Sequence, residues 1–220
     1  AVINGEYITG VTTFMINEGI DTGHIMFRDQ CRIEETDTAG DIHDKLMALG
    51  SNLVVQTVES IIDKSVELRL QKSFIQGSEV LKPAPKLTRE LCHIDWNGKT
   101  KDIYNLIRGL SPYPAAFTEL TKEGKEPQQM KIFFGEKVTG DAFNALLAEN
   151  GRDSAAPGEV LSDGRNYLAI STEDGAISIT DLQLSGKKRM AVKDFLIGFR
   201  DASSYGTTKG TSSGITGKNS

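Results

Sequence analysis

Two runs of strand-forming residues open the chain, Val11 to Ile16 and Ile25 to Ile33, with Gly19, Asp21 and Gly23 between them. Val, Ile, Thr and Phe suit a pleated, half-buried surface, while Gly and Asp suit turns, so the pattern predicts two strands joined by a tight bend. The period then changes. Ile42, Leu46, Leu49, Leu53, Val54, Val58, Ile61 and Ile62 recur mostly three and four residues apart, which predicts one long helix with an apolar stripe laid on a sheet. Asp37-Thr38 supplies an N-cap, and Asp41 falls in the first turn, where an acid suits the helix dipole. Gly50 weakens the helix, but Leu53 keeps the stripe in phase. Residues 1–75 therefore read as an α/β unit.

Residues 76–90 read as an interdomain linker. Pro83 and Pro85 in Leu81-Lys-Pro-Ala-Pro-Lys86 bar regular helix and favour an extended path. Residues 91–200 read as a second domain. Thr100 can cap a short helix with Ile103, Tyr104, Ile107 and Leu110 on one face, ended by Ser111-Pro-Tyr-Pro114. Short strands are predicted at 116–120, 130–134, 159–161, 168–171 and 177–184, separated by turn signals such as Asp163-Gly164 and Asp174-Gly175. Five short strands and a helix predict a small barrel of the oligonucleotide-binding (OB) type. Residues 141–150 have helical spacing and look like an insertion, and Val192, Phe195, Leu196 and Phe199 predict a closing helix. Beyond Asp201, Ser, Gly, Thr and Lys dominate, so residues 201–220 are expected to be a disordered tail.

The composition, 38% hydrophobic and 25% charged over 220 residues, suits a globular protein of two small domains. No apolar run approaches the roughly 20 residues of a membrane helix, and no membrane partner is expected. Cys31 and Cys92 lie far apart and form no metal spacing, so no metal is expected, and a reducing cytoplasm is the simplest location. The net charge of −5 argues against nucleic-acid binding by the whole surface. Local clusters remain: Lys187-Lys188-Arg189 with Lys193, and Lys82, Lys86 and Arg89. Such patches can bind phosphate; without further context a solvated face is the preferred reading. Asp21, in its glycine-framed bend, is reachable as a catalytic carboxylate must be. It is also what an ordinary turn Asp looks like, and conformation alone favours the ordinary turn. The chain opens on Ala1, in what reads as the tail of an element already under way, which predicts an amino-terminal truncation.

Several blocks, in order, resemble the methionyl-tRNA formyltransferase family. They are Gly10-Val-Thr-Thr-Phe14 with Gly19-Ile-Asp-Thr-Gly23, Asp37-Thr-Ala-Gly40 with His43-Asp-Lys-Leu46, Ala84-Pro-Lys-Leu-Thr88, Ile94-Asp-Trp96, Ile107-Arg-Gly-Leu-Ser-Pro-Tyr-Pro-Ala115, Leu182-Gln183, and Gly186-Lys-Lys-Arg-Met190 with Asp194-Phe-Leu-Ile-Gly198. The block from Ile107 is the most specific, because it separates this family from enzymes that share only the catalytic half.

The resemblance implies the carboxyl-terminal remnant of a Rossmann-like formyltransferase domain followed by an OB-like tRNA-binding barrel. It implies formyl transfer from 10-formyltetrahydrofolate to the α-amine of initiator methionyl-tRNA, by a cytoplasmic monomer. The family uses an Asn, a His two residues later and a downstream Asp. Asp21 matches the Asp, and in this context catalysis becomes its preferred role. The Asn and His belong to an Asn-x-His-x-Ser-Leu-Leu-Pro block that His24, His43 and His93 do not match, and which is expected upstream of Ala1. By the same analogy Asn17, Glu18, Gly19 and Ile20 would border the pterin of the folate. Lys86, Arg108, Lys187, Lys188 and Arg189 become candidates for tRNA phosphates, although Arg108 could instead pair with Asp102 or Asp95. Trp96, Tyr113 and Phe117 could stack on nucleotides, but core packing beside proline is the preferred reading. Two departures stand out: His24 occupies a place where an acid is expected, and residues 141–150 look inserted. The competing readings are a stand-alone tRNA- or RNA-binding module, with residues 1–75 an inert remnant, and a formyltransferase acting on a nucleotide sugar. The latter has no reason to keep the block from Ile107.

Overall fold

The computed structural model describes residues 1–20, 22–75 and 82–208. The chain divides into two compact units: Ala1 with Glu6–Lys86, and Val2–Gly5 with the chain from Leu87 onward.

In the first unit β1 (Ile8–Phe14) pairs antiparallel with β2 (Ile25–Arg32), Val11 opposite Asp29. Alternate residues Thr9, Val11 and Thr13 are half-buried while their neighbours are exposed, as period two requires. The helix predicted from the apolar spacing is α1 (Ala39–Ile62). Thr38 caps it, with Oγ1 accepting from the Asp41 amide at 3.2 Å while Asp41 accepts from the Thr38 amide at 2.8 Å. This reciprocal pair satisfies two of the helix's orphan donors. Hydrogen bonds from the Thr38 side chain and backbone hold the Asp41 carboxyl below the usual range. Ile42, Leu53 and Thr57 are buried, and Leu46 and Leu49 half-buried, so these positions form the inward stripe. Val54, Val58, Ile61 and Ile62, placed on the stripe by spacing, are exposed. A polar residue, Thr57, takes the inward place instead, donating to the Leu53 carbonyl at 2.6 Å.

In the second unit α2 (Arg89–Cys92) and α3 (Thr100–Leu110) precede a seven-stranded sheet. Residues 87–90, expected in the linker, already belong to this unit. The strands are β3 (Ala116–Lys122), β4 (Lys125–Thr139), β5 (Val160–Ser162), β6 (Leu168–Ser171), β7 (Gly175–Leu184), β8 (Met190–Ala191) and β9 (Gly206–Thr207). Their order is β5-β6-β7-β4-β3-β9, with β8 on β7. The two ends meet, because Gly206 bridges Glu159 and the Thr207 amide donates to the Gly158 carbonyl at 3.2 Å. The result is a barrel-like sheet filled by Trp96, Ile107, Leu110, Met130, Ile132, Ile177 and their neighbours. Between β4 and β5, α4 (Asp141–Glu149) sets Phe143, Leu146 and Leu147 on a smaller cluster with Leu161, Ala169 and Ala176. The closing helix is α5 (Val192–Ile197), which buries Val192, Phe195 and Leu196.

Two expectations change. Residues 201–208 are not a disordered tail. Ala202 and Tyr205 are buried, and β9 completes the ring of strands. The rest of the predicted tail, 209–220, lies outside the described residues. Thr100 is the first residue of α3 rather than its cap. Its amide and hydroxyl both donate to Asp174 Oδ1, at 2.7 and 2.8 Å, so the capping acid comes from the β6–β7 turn.

Candidate functional site

The bend between β1 and β2 is fixed from within. The Met15 amide donates to the His24 carbonyl at 2.9 Å. Asn17 Oδ1 accepts from the Gly19 amide at 3.2 Å and from Thr22 Oγ1 at 2.8 Å. Gln71 Nε2 donates to the Gly23 carbonyl at 2.8 Å, tying the bend to the 3₁₀ turn Gln71–Phe74. A Cβ on Gly23 would lie 1.5 Å from the Met15 carbonyl oxygen, so only glycine closes this crossing. Around the bend, Ile16 and Ile20 are about nine-tenths exposed. Of the residues proposed to border a folate, Asn17, Glu18, Gly19 and Ile20 share this one exposed loop. Asp21 lies outside the described residues. No cluster of His, Cys, Asp or Glu able to hold a metal occurs among the described residues.

The second candidate surface is the turn between β7 and β8. Lys187 and Lys188 are exposed there, and the turn is closed by the Lys187 amide on the Leu184 carbonyl (2.9 Å) and Gln183 Nε2 on the Lys187 carbonyl (2.8 Å). Arg189 differs. Its Nε donates to Asp181 Oδ2 at 2.8 Å, a second nitrogen bonds the same oxygen, and the guanidinium lies 4.2 Å over the Phe133 ring. The Asp181 hydrogen bond raises the Arg189 pKa, so its charge is already answered. In the middle cluster Lys82 pairs with Glu6, Lys86 is exposed, and Arg89 lies 5.8 Å over the Phe117 ring. A groove of about 600 Å³ beside the β3–β4 hairpin is lined by Arg89, Lys125, Glu119, Glu126, Gln128 and Gln129, with both signs of charge.

Arg108 is not a surface cation. It is 5% exposed, with Nε donating to Asn105 Oδ1 at 2.9 Å on the same face of α3. Its place in the last turn of an amphipathic helix, three residues after Asn105, carries the signal for that fate. Trp96 and Phe117 are buried as expected, the indole N–H donating to Thr118 Oγ1 at 3.1 Å. Tyr113 is the opposite of a core residue at 85% exposed. Lys131 was missed. It is the polar position between Met130 and Ile132, both fully buried, and strand alternation alone turns it outward. Gly109 explains one letter of the Ile107 block, because a Cβ there would press on the backbone nitrogen of Ile3 at 2.8 Å.

These features coincide with two family models. The one described as formyl transferase, C-terminal domain, matches residues 86–200, and the one described as formyl transferase matches residues 1–58. The chain belongs to the formyl transferase family. It is 47% identical to the methionyl-tRNA formyltransferase of Azobacteroides pseudotrichonymphae over 90% of this chain and 58% of that protein. It is 40% identical to that of Parabacteroides distasonis over 93% of this chain and 60% of that protein. The chain thus spans somewhat under two thirds of the length of the curated relatives it matches. Among solved structures it shares its fold with HypX from Aquifex aeolicus, in complex with tetrahydrofolic acid, at TM-score 0.58 and 21% identity, over 90% of this chain and 31% of that one.

Proposed function

We propose that this chain forms part of a folate-dependent methionyl-tRNA formyltransferase. The first unit would be a remnant of its Rossmann-like catalytic domain and the second its OB-like, tRNA-binding barrel. The supporting observation is the ordered match of both formyl transferase models, together with identity to methionyl-tRNA formyltransferases across most of the chain. A free-standing RNA-binding module accounts for residues 86–200 but not for the match over 1–58. The ring of strands closed through Glu159 and Gly206 supports the OB-like reading. HypX, solved with tetrahydrofolate on the same fold, supports a folate donor, which we take to be 10-formyltetrahydrofolate.

In the reaction the α-amine of methionine on the initiator tRNA attacks the formyl carbon. The carbonyl oxygen becomes an oxyanion, which donors already in place stabilise. The carbon–nitrogen bond to the folate then breaks, the folate nitrogen gains a proton and the amine loses one. By the match to the family's pattern, Asp21 relays that proton and the loop Asn17–Ile20 borders the pterin. Lys86, Lys187 and Lys188 take tRNA phosphates, with Arg189 a weaker contact because Asp181 already holds it. The enzyme acts as a monomer in the cytoplasm.

The test joins this chain to the amino-terminal segment of the Parabacteroides distasonis relative and follows labelled formyl from 10-formyltetrahydrofolate to methionyl-tRNA. Transfer is expected. A folded chimera that binds both substrates and transfers nothing, or that formylates a nucleotide sugar instead, overturns the reading.

A further inference from the structure

Tyr113 stands out in the second unit. Its neighbours Leu110, Ser111, Ala115 and Ala116 are 0 to 3% exposed, while its own ring is 85% exposed. The loop that carries it is pinned at both ends: the Ser111 amide donates to the Arg108 carbonyl at 3.3 Å and the Ala115 amide to the Leu110 carbonyl at 2.9 Å. An aromatic ring presented from a fixed backbone offers contact area at little entropic cost.

A row of polar side chains leads away from it. Lys131 Nζ donates to the Pro114 carbonyl at 3.4 Å, so the amine sits against the same loop. An ammonium has three donors, and this bond uses one. On the strands Lys131 is opposite Phe117 of β3 and opposite Gln183 of β7. Gln183 in turn holds the Lys187 carbonyl, in the turn that exposes Lys187 and Lys188. Adjacent strands are about 4.8 Å apart, so the Tyr113 loop, Lys131, Gln183 and the basic turn follow one another across three strands. Asp181, two residues before Gln183 on β7, is paired with Arg189. The Tyr113 loop and the strand that carries Gln183 thus both border Lys131.

We propose that Tyr113 and Lys131 form a seat for one unpaired nucleotide of RNA. The base stacks on the Tyr113 ring, its phosphate sits at Lys131, and the adjoining phosphates run toward Lys187 and Lys188. A duplex hides its base faces, and an apolar peptide has no use for the row of amines; an exposed ring beside amines fits a single strand. This rests on the tRNA reading above and adds the place where an unpaired base is held.

The experiment measures binding of an initiator tRNA transcript to the full chain across a salt series. Tyr113→Ala is expected to weaken binding ~5- to 100-fold without changing the slope of log K against log salt, while Tyr113→Phe stays within about twofold of the parent because the ring is kept. Lys131→Gln is expected to lower the slope by about one. An unchanged thermal midpoint for each variant confirms that the barrel is intact. Tight, salt-dependent binding by the parent with Tyr113→Ala indistinguishable from it, or with Tyr113→Phe as weak as Tyr113→Ala, overturns the seat and leaves the tRNA reading standing. A parent chain that does not bind the transcript overturns both.

Discussion

The two units solve the problem of burial differently. In the second, a sheet whose ends meet encloses its own core, from Trp96 and Ile94 at one end of the sequence to Leu182 and Phe195 at the other. In the first, a two-stranded sheet and one helix bury Ile25, Ile33, Ile42 and Leu53, yet leave Tyr7, Ile8, Met47, Val54, Val58 and Ile62 largely in water. A two-stranded sheet has little stability of its own. The contrast teaches that folding stability and chemistry need not reside together. The larger buried core lies in the barrel, while the loop proposed for catalysis sits on the unit that covers itself least.

The sharpest way to test the contrast is to cut into the barrel. Trp96→Ala removes a fully buried indole and its bond to Thr118, and should cost about 3–5 kcal/mol in denaturant unfolding of the second unit. Tyr205→Ala should cost about 3 kcal/mol in the same transition, because the ring is buried and its hydroxyl accepts from Lys125 Nζ at 3.0 Å. If residues after Asp201 were a free tail, that substitution would change nothing measurable.

Acid should loosen the second unit in a defined window. Burial alone would raise the Asp163 carboxyl, but the amides of Asn166, Arg165 and Tyr167 hold it down to about 2. The Asp174 carboxyl is lowered by the Thr100 amide and hydroxyl. Both folded pKa values lie below the unfolded one. Their contribution is therefore complete above about pH 4 and is lost as pH falls through the folded values. Asp174→Ala should destabilise by about 1 kcal/mol at pH 7, as loss of a helix cap does, and by progressively less as pH falls below about 4. A difference that stays constant down to pH 2 would mean that the charged form plays no part. The smallest effect belongs to the first unit. Thr38→Ala should cost about 1 kcal/mol and speed hydrogen exchange in α1 alone. Equal acceleration throughout the barrel would show that the two units unfold together.

Local chemistry made much of this legible. The three-and-four spacing of Ile42 through Leu53 reports α1, and Thr38 with Asp41 reports its start. What escaped was non-local. Nothing near Thr100 announces that Asp174, 74 residues later, caps α3. In a Ser- and Gly-rich segment, Ala202 and Tyr205 are two apolar anchors whose partners lie on strands read separately, so β9 left no periodic trace. For Arg108 a structural partner was expected at Asp102 or Asp95, whereas the acceptor is Asn105, one helical turn before it. Tyr113 read as core because proline flanks it, whereas the turn that those prolines shape points its side chain out. At the candidate site only the bend itself was readable: its Gly23 crossing and Asn17 bonds are local, while the partners that would complete a transfer site match no position here.

The proposed function divides labour between chemistry at the β1–β2 bend and grip on the sheet that closes through β9. One titration tests this, namely single-turnover formylation by the chimera against tRNA concentration, comparing Asp21→Asn with the paired change Lys187→Gln and Lys188→Gln. The account predicts that Asp21→Asn lowers the saturating rate by roughly 10²- to 10⁴-fold at unchanged half-saturation, whereas the lysine pair raises half-saturation in a salt-dependent way at an unchanged limiting rate. An Asp21→Asn chimera that turns over at the parental rate, or a lysine pair that lowers only the limiting rate, would contradict it.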